Sequence, residues 1–567
     1  MKTIDSVKNW ILQCVSSVKD WIQVATRWAK EHRSLWYYLV TILIGLFTIV
    51  VILYYIFFPS RGYFHADSTD TLMWAESFID ARWIYNTDFA YAAYFLFGGS
   101  LLMMPFIGIF GVSMLAHVLG MGLFYLIFYA AILFFCRSMK VSWMWSVIIG
   151  FVISFGVASG EKIREIFYGH VIYYSLGILF VLIGLGLLFR MEEKLQRWIE
   201  EKKKSKLILY LILGPLFFLL ASINGIQSIT IFVVPVLGAF VIERLLDGSK
   251  PLFSKENTPG IIASGLVLIG SIIGIFFYSL LAKEVPQGYA DAYSVFSAPH
   301  EWILNINRLL EHWFTLIGVD VVYGDPIKSI EGLINLIRIL FGFIIAFIPF
   351  IALINYSKLP NSKVRVVIIT HWILSSLIIL GYIFGLLSSA SWRLSPILAS
   401  SIIASVVYLH SLFQQVNTKR FAILFMMPLV IFGMVTSYII IKMPHDYNLE
   451  NGNFDGYYLA RELEKLDLTY GYATFWRANL ITVVSDSKVK VRSITADYEI
   501  YHFQSQLSWY QEQEGVDRYF VLLNHSEYRN VYTAPWFELE HTKVVLYGPQ
   551  TYYVLIFSQN IFYRGES

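Results

Sequence analysis

At 567 residues the chain is 57% hydrophobic, 17% aromatic and only 15% charged, with a formal net charge of +3. So little charge excludes a string of soluble domains, and the near-neutral balance excludes a nucleic-acid-binding protein. Cys14 and Cys136 are its only cysteines, which leaves no disulfide framework and no paired-cysteine metal signature.

Residues 1–32 place Ile4, Val7, Ile11, Val18, Ile22 and Ala25 at helical spacing among lysines and acids, the pattern of an amphipathic helix lying on the inner leaflet. Long apolar stretches follow near 35–58, 113–135, 141–160, 170–189, 207–222, 227–244, 260–282, 335–355, 366–387, 396–412 and 421–442. A helix needs about 20 residues to cross the hydrocarbon layer, so these predict a polytopic α-helical protein with about 11 spans. An inner N-terminus puts Arg27, Lys30, Arg33, Arg137, Lys140, the run Arg190–Lys206, Arg244, Lys250, Lys358, Arg365, Lys419 and Arg420 on the inner side, as the positive-inside rule requires. The stretch 89–112 is hydrophobic but broken by Gly98-Gly99, Pro105, Gly108 and Gly111. Counting it as a span would reverse every later basic loop, so it is expected to dip into the membrane and return.

The chain thus divides into the interfacial helix over 1–32, a membrane domain over 33–442 with outer loops 60–112 and 284–332, and an outer soluble domain over 443–567. In the second loop, 303–317 predicts an interfacial helix capping a cavity. In the tail, Gly456–Leu466 predicts a helix, while 519–523, 544–547 and 552–556 predict strands of a compact α/β domain.

Candidate chemistry gathers at the outer edge. Asp67 and Asp70, in His65-Ala-Asp67-Ser-Thr-Asp70, directly follow the first span. A carboxylate at the mouth of an apolar cavity can act as a general base, and Asp67 is the first choice for taking the proton of an attacking hydroxyl. Asp70 could orient Asp67 or bind a divalent cation (Mg or Mn) with it; alternatively Asp67 or Ser68 caps the helix that begins near Thr71. His65 could tune the pair. Lys162 and Arg164, flanked by Glu161 and Glu165 and followed by His170, depart from the charge rule for outer loops; they could grip a phosphate or form a local ion-pair network. Arg393, in Ser391-Trp-Arg-Leu-Ser-Pro396, could bind a phosphate or snorkel to headgroups beside Trp392. Asn224-Gly225 reads as a tight turn whose amide could also reach a sugar. Trp476, Arg477 and Asn479 join a stacking surface to polar donors, suited to carbohydrate or to an aromatic core. There is no P-loop, no His-Glu-x-x-His and no dinucleotide fingerprint, so energy should arrive within the substrate.

This layout resembles the GT-C superfamily of membrane glycosyltransferases, through the first span, the early acidic motif, the many-helix bundle and the outer C-terminal domain. His65-Ala-Asp67-Ser-Thr-Asp70 and Tyr470-Gly-Tyr-Ala-Thr-Phe-Trp476 are similar to segments of bacterial members that act on envelope polymers. The acids here are separated by two residues, unlike the adjacent Asp-Glu of the protein mannosyltransferases. The resemblance implies Asp67 as catalytic base and a polyprenyl-phosphate (undecaprenyl-type) sugar donor. It also implies a glycan, cell-wall polymer or lipid-linked acceptor, inversion at the anomeric carbon, and residence in a bacterial cell membrane among its lipids. The competing expectations are a flippase or transporter of lipid-linked saccharide and an envelope glycan polymerase or ligase.

Overall fold

The structure is a computed structural model that describes residues 33–93, 95–202, 206–247, 251, 253–285, 295–359, 361–386, 390–445 and 455–562. The amphipathic segment expected over 1–32, with Cys14, lies outside the described residues, as do parts of the 284–332 loop and of the junction to the tail.

The protein is a polytopic helical membrane protein with a C-terminal α/β domain. All eleven expected segments are helical, but among the described residues nine helices are long and apolar enough to cross a membrane. The other two, Trp143–Gly156 and Leu207–Ser222, have 14 and 16 residues. At 1.5 Å per residue they reach about 21 and 24 Å, short of a hydrocarbon core of about 30 Å. The first stops short of its expected end because Gly156 is followed by a 118° bend into the helix Glu161–Tyr168, whereas the second ends at Ser222 as expected, before the turn at Asn224 and Gly225. The dipping segment contains the 12-residue helix Gly99–Phe110, too short to span.

The spans Tyr173–Glu201 and Ser391–Phe413 are almost wholly enclosed by the others. The first helix, Arg33–Phe57, turns Leu39, Ile42, Leu43, Leu46 and Val50 outward at helical spacing and buries Val51, Ile52, Tyr55 and Ile56. A lipid-facing flank and a packed flank on one helix follow from that spacing. Leu207–Ser222 and Thr258–Leu281 meet closely because Gly270 and Gly274 leave room: a Cβ on either would overlap the carbonyl oxygens of Pro215 and Leu219.

The two ends of the bundle differ. At one end, Arg190 Nη2 donates to the Arg137 carbonyl, Lys363 Nζ to the Ser138 carbonyl, and Arg365 to Glu243, while Arg244 pairs with Glu192. At the other end of the helix Met114–Ser138, the Met114 N–H donates to Asp486 Oδ1 at 3.3 Å, in the tail. Basic residues therefore collect at the end opposite the tail.

The tail builds a five-stranded sheet, order β2-β1-β3-β5-β4, from β1 (Tyr470–Thr474), β2 (Lys490–Ile494), β3 (Tyr519–Asn524), β4 (Thr542–Tyr547) and β5 (Thr551–Phe557). β1 runs parallel to β2 and β3, and β5 is antiparallel to β3 and β4. Helices are present where expected, as Asp455–Lys465 and as Glu301–Ile317, the second with Ile303, Ile306 and Leu310 exposed. The sheet is clamped to the first loop: Ala90 N–H donates to the Ser505 carbonyl, Gln504 N–H to the Ala90 carbonyl, and the buried Arg492 guanidinium lies 3.8 Å from Glu76.

Candidate functional site

A cavity of about 760 Å³ lies between this sheet and the bundle. Its upper wall comes from residues at or just past the carboxyl ends of the parallel strands: Thr474, Phe475 and Trp476 after β1, Ile494 to Ala496 after β2, and Glu527 after β3. Crevices at that edge of a parallel sheet are where α/β folds bind ligands, because side chains leaving neighbouring strands converge there. The lower wall comes from the first loop, from Glu161–Tyr168 and from the turn before Ser395–Phe413, and it includes Asp67, Asp70, Lys162, Glu165, His170 and Arg393.

Asp67 sits in a short 3-10 turn, Ala66–Thr69, and its side chain is 47% exposed. Its own N–H donates to His65 Nδ1 at 3.3 Å, while the helix that follows, Asp70–Ala81, has no side-chain cap on its first turn. The capping reading of Asp67 therefore has no contact behind it, and the carboxylate is left facing the cavity. Asp70 accepts a hydrogen bond from Gln504 Nε2. Burial, and then the charge of Asp67, push the Asp70 carboxyl well above its ordinary value of 3.8, and Gln504 only partly offsets this.

Glu165 is the hub of the lower wall. His65 Nε2 is 2.9 Å and His170 Nε2 3.5 Å from its Oε1, and Lys162 Nζ is 2.7 Å from its Oε2. Burial pushes this carboxyl up, but the contacts from His170 and His65 outweigh it and hold Glu165 below the usual carboxylate range. Through His65 the hub is tied to the Asp67 backbone.

Arg393 is held differently. Its Nη1 donates to the Tyr174 hydroxyl at 3.1 Å and the Tyr173 hydroxyl at 3.5 Å, its Nε is buried without a partner, and no carboxylate pairs with it among the described residues. A second cavity, of about 710 Å³, shares Ala92, Ala93, Tyr173, Tyr174 and Arg393 with the first. Its wall is otherwise mostly apolar, with buried Ile231, half-buried Leu377 and Ile378, and exposed Ile226, Phe296 and Leu380 where it reaches the flank of the bundle. An unneutralised guanidinium thus stands where an apolar groove meets a polar chamber, which is the arrangement that suits an anionic head on an apolar tail.

No family model matches the chain, and no curated protein matches it. Among solved structures it is similar to ArnT from Cupriavidus metallidurans bound to undecaprenyl phosphate, at 8% identity and TM-score 0.49, over 91% of this chain and 97% of that one. It is also similar to the Archaeoglobus fulgidus oligosaccharyltransferase in its apo form, at 11% identity and TM-score 0.47, over 88% of this chain and 70% of that one. The same enzyme in complex with Zn and sulfate gives 12% identity and TM-score 0.44 over the same shares.

Of the residues expected from sequence, Asp67, Asp70, Lys162, His170, Arg393 and Trp476 line the main cavity, and His65 contacts it through Asp67 and Glu165. Two do not. Arg164 is buried, donates to the Ala158 carbonyl at 3.1 Å and lies against the rings of Tyr55 and Tyr63. Asn224 brackets the backbone of Phe97, accepting from its N–H at 2.9 Å and donating to its carbonyl at 2.7 Å. Arg477 is neutralised by Glu527, and Asn479 is buried. Tyr173, Tyr174 and Gln504 were missed; an aromatic pair opening a span reads as an interfacial belt, and Gln504 reaches Asp70 from far along the chain.

A divalent cation near Asp67 would need further ligands. Both Glu165 oxygens are engaged by His65, His170 and Lys162, Asp70 by Gln504, and no group of three or more His, Cys, Asp or Glu is set to hold a metal among the described residues. Two carboxylates alone, Asp67 and Asp70, remain for such an ion, and the chemistry proposed for Asp67 has no step at a metal.

Proposed function

We propose that the protein is a GT-C-type glycosyltransferase. It transfers a sugar from a polyprenyl-phosphate donor to an extracytoplasmic glycan, cell-wall polymer or lipid-linked acceptor, with inversion at the anomeric carbon. The observation that carries this reading is Arg393, a cation without a carboxylate partner among the described residues, at the junction of the apolar groove and the chamber that Asp67 lines. An isoprenoid chain suits the groove, its phosphate suits Arg393 with the tyrosine hydroxyls, and the sugar then falls on the Asp67 side. The collection of basic residues at the opposite end supports an extracytoplasmic site in a bacterial cell membrane.

In the reaction, Asp67 accepts the proton of the acceptor hydroxyl as that oxygen attacks the anomeric carbon. The bond from the anomeric carbon to the phosphate oxygen breaks, and its electron pair leaves with polyprenyl phosphate. Arg393 neutralises the charge that builds on this leaving group, an effect that is large where water is scarce. One displacement at one carbon inverts its configuration, and no nucleotide takes part.

The test is to reconstitute the protein with a radiolabelled polyprenyl-phosphate hexose and envelope glycan acceptors. A new glycosidic product, with release of polyprenyl phosphate, is expected. Movement of intact lipid-linked sugar across the bilayer without a new bond would replace this reading with a flippase. Transfer of whole glycan chains would replace it with a polymerase or ligase.

A further inference from the structure

A third cavity, of about 470 Å³, opens between the helix Glu161–Tyr168 and the sheet domain, and it shares Lys162, Glu165 and Trp476 with the reaction chamber. Its cations are spent: Lys162 is 2.7 Å from Glu165, and Arg477 pairs with Glu527. Its remaining acids are not: Glu161 and Asp455 form no ion pair among the described residues. Asp455 Oδ2 accepts from the Tyr552 hydroxyl, but its Oδ1 is buried and accepts nothing, and Arg477 Nε is buried and donates to nothing. Beside them the Trp476 indole is 62% exposed.

From this we infer that the cavity is the saccharide subsite for the acceptor, and that it selects sugars without anionic groups. Ring C–H faces stack on Trp476, hydroxyls donate to the exposed Glu161 carboxylate, and the free charges of Glu161 and Asp455 repel uronates and phosphates. The shared wall of Lys162, Glu165 and Trp476 leads the reacting hydroxyl towards Asp67. This rests on the transferase reading for its role, but not for its binding chemistry.

The experiment is a binding titration of the full chain in lipid nanodiscs, without donor, followed by saturation-transfer NMR. The neutral probes are cellotriose, maltotriose and chitotriose, and the anionic probe is trigalacturonate. At least one neutral trisaccharide should bind saturably, with trigalacturonate about tenfold weaker or more. Trp476→Ala should weaken the neutral probe about tenfold, the scale of losing an aromatic anchor. Glu161→Gln combined with Asp455→Asn should bring trigalacturonate level with the neutral probe. Failure of all neutral probes to bind, equal binding of both classes, or neutral binding unchanged in Trp476→Ala would each overturn the subsite. Trp476 and Glu161 are exposed and Asp455→Asn keeps an acceptor for the Tyr552 hydroxyl, so these variants keep the fold, and an unchanged unfolding midpoint verifies it. Saccharide binding without transfer from any donor would sink the enzyme reading and leave the subsite standing; transfer without such binding would do the reverse.

Discussion

Replacing Asp67 with Asn tests the base assignment most directly. The side chain is about half exposed, and its anchor to the rest of the site runs through its backbone N–H to His65, which the substitution leaves in place. Folding stability should therefore change by no more than about 0.5 kcal/mol, as for other surface exchanges. The amide cannot take a proton, so kcat should fall by about 10²–10⁴-fold, or about 3–5 kcal/mol in the barrier. The donor phosphate is assigned to Arg393, so KM for the lipid-linked sugar should stay within about twofold, the signature of an interaction made only in the transition state. Initial rates of labelled-sugar transfer across a range of donor concentrations separate the two constants. A kcat within threefold of wild type in a folded variant would refute the assignment. An equal loss in Asp70→Asn, with Asp67→Asn active, would move the base to Asp70.

The other acids and Arg393 make separable predictions. Arg393→Ala should lower kcat/KM by about 10²–10³-fold, with donor KM rising as well, because the guanidinium holds the phosphate before and during departure; unchanged donor KM would remove it from the phosphate site. Asp70 and Glu165 should affect stability with opposite sign. A carboxyl raised above its ordinary 3.8, as Asp70 is, contributes stability that is full below that value and is lost as pH rises through the raised one. Asp70→Asn keeps an acceptor for Gln504 and should flatten that loss in unfolding midpoints taken from acid to neutral pH. Glu165 is held below its ordinary 4.5, so its contribution is full above that pH and erodes as pH falls from there towards the lowered value. Glu165→Gln should remove that acid sensitivity while costing about 3 kcal/mol near neutrality, the scale of breaking a buried pair.

The membrane part was legible because hydrocarbon dictates composition: each apolar run became a helix, and the basic residues converged at one end. What the runs could not show was where a helix stops inside apolar sequence, as at Gly156. In the tail, β3, β4 and β5 announce themselves through Val, Leu and Tyr, whereas β1 and β2 escaped notice. Gly471 and the aromatics just past its end disguise β1, and Lys490-Val-Arg-Ser-Ile494 is short and half polar until paired. At the site, Lys162 and Arg164 look equivalent on paper. Once 161–168 is helical, two residues apart means about 200° of rotation, so they face opposite ways, while Lys162 and Glu165 share a face. The links Arg393–Tyr174 and Gln504–Asp70 join residues hundreds of positions apart, and no local pattern encodes them.

The bend after Gly156 explains how a charged hub coexists with apolar spans. A lysine or glutamate carried to mid-bilayer on a straight helix would cost about 2.5–3.5 kcal/mol per charge. Here the helix ends after 14 residues and the chain turns 118°, so Glu161–Tyr168 crosses the end of the bundle with Ile163, Ile166 and Phe167 buried and Lys162 and Glu165 in the cavity. Gly160 makes that turn fit, since a Cβ there would overlap the Leu316 carbonyl oxygen and lie 2.8 Å from Gly318 N. Those atoms are backbone and cannot swing aside, so Gly160→Ala should cost about 1–3 kcal/mol. It should also lower transfer by shifting Glu165, and with it His65 and Asp67, although it touches no reacting group. Unfolding midpoints and transfer rates measured together decide the matter. If the alanine variant matched wild type in both, the close contact at Gly160 would not be what sets the hub beneath the sheet.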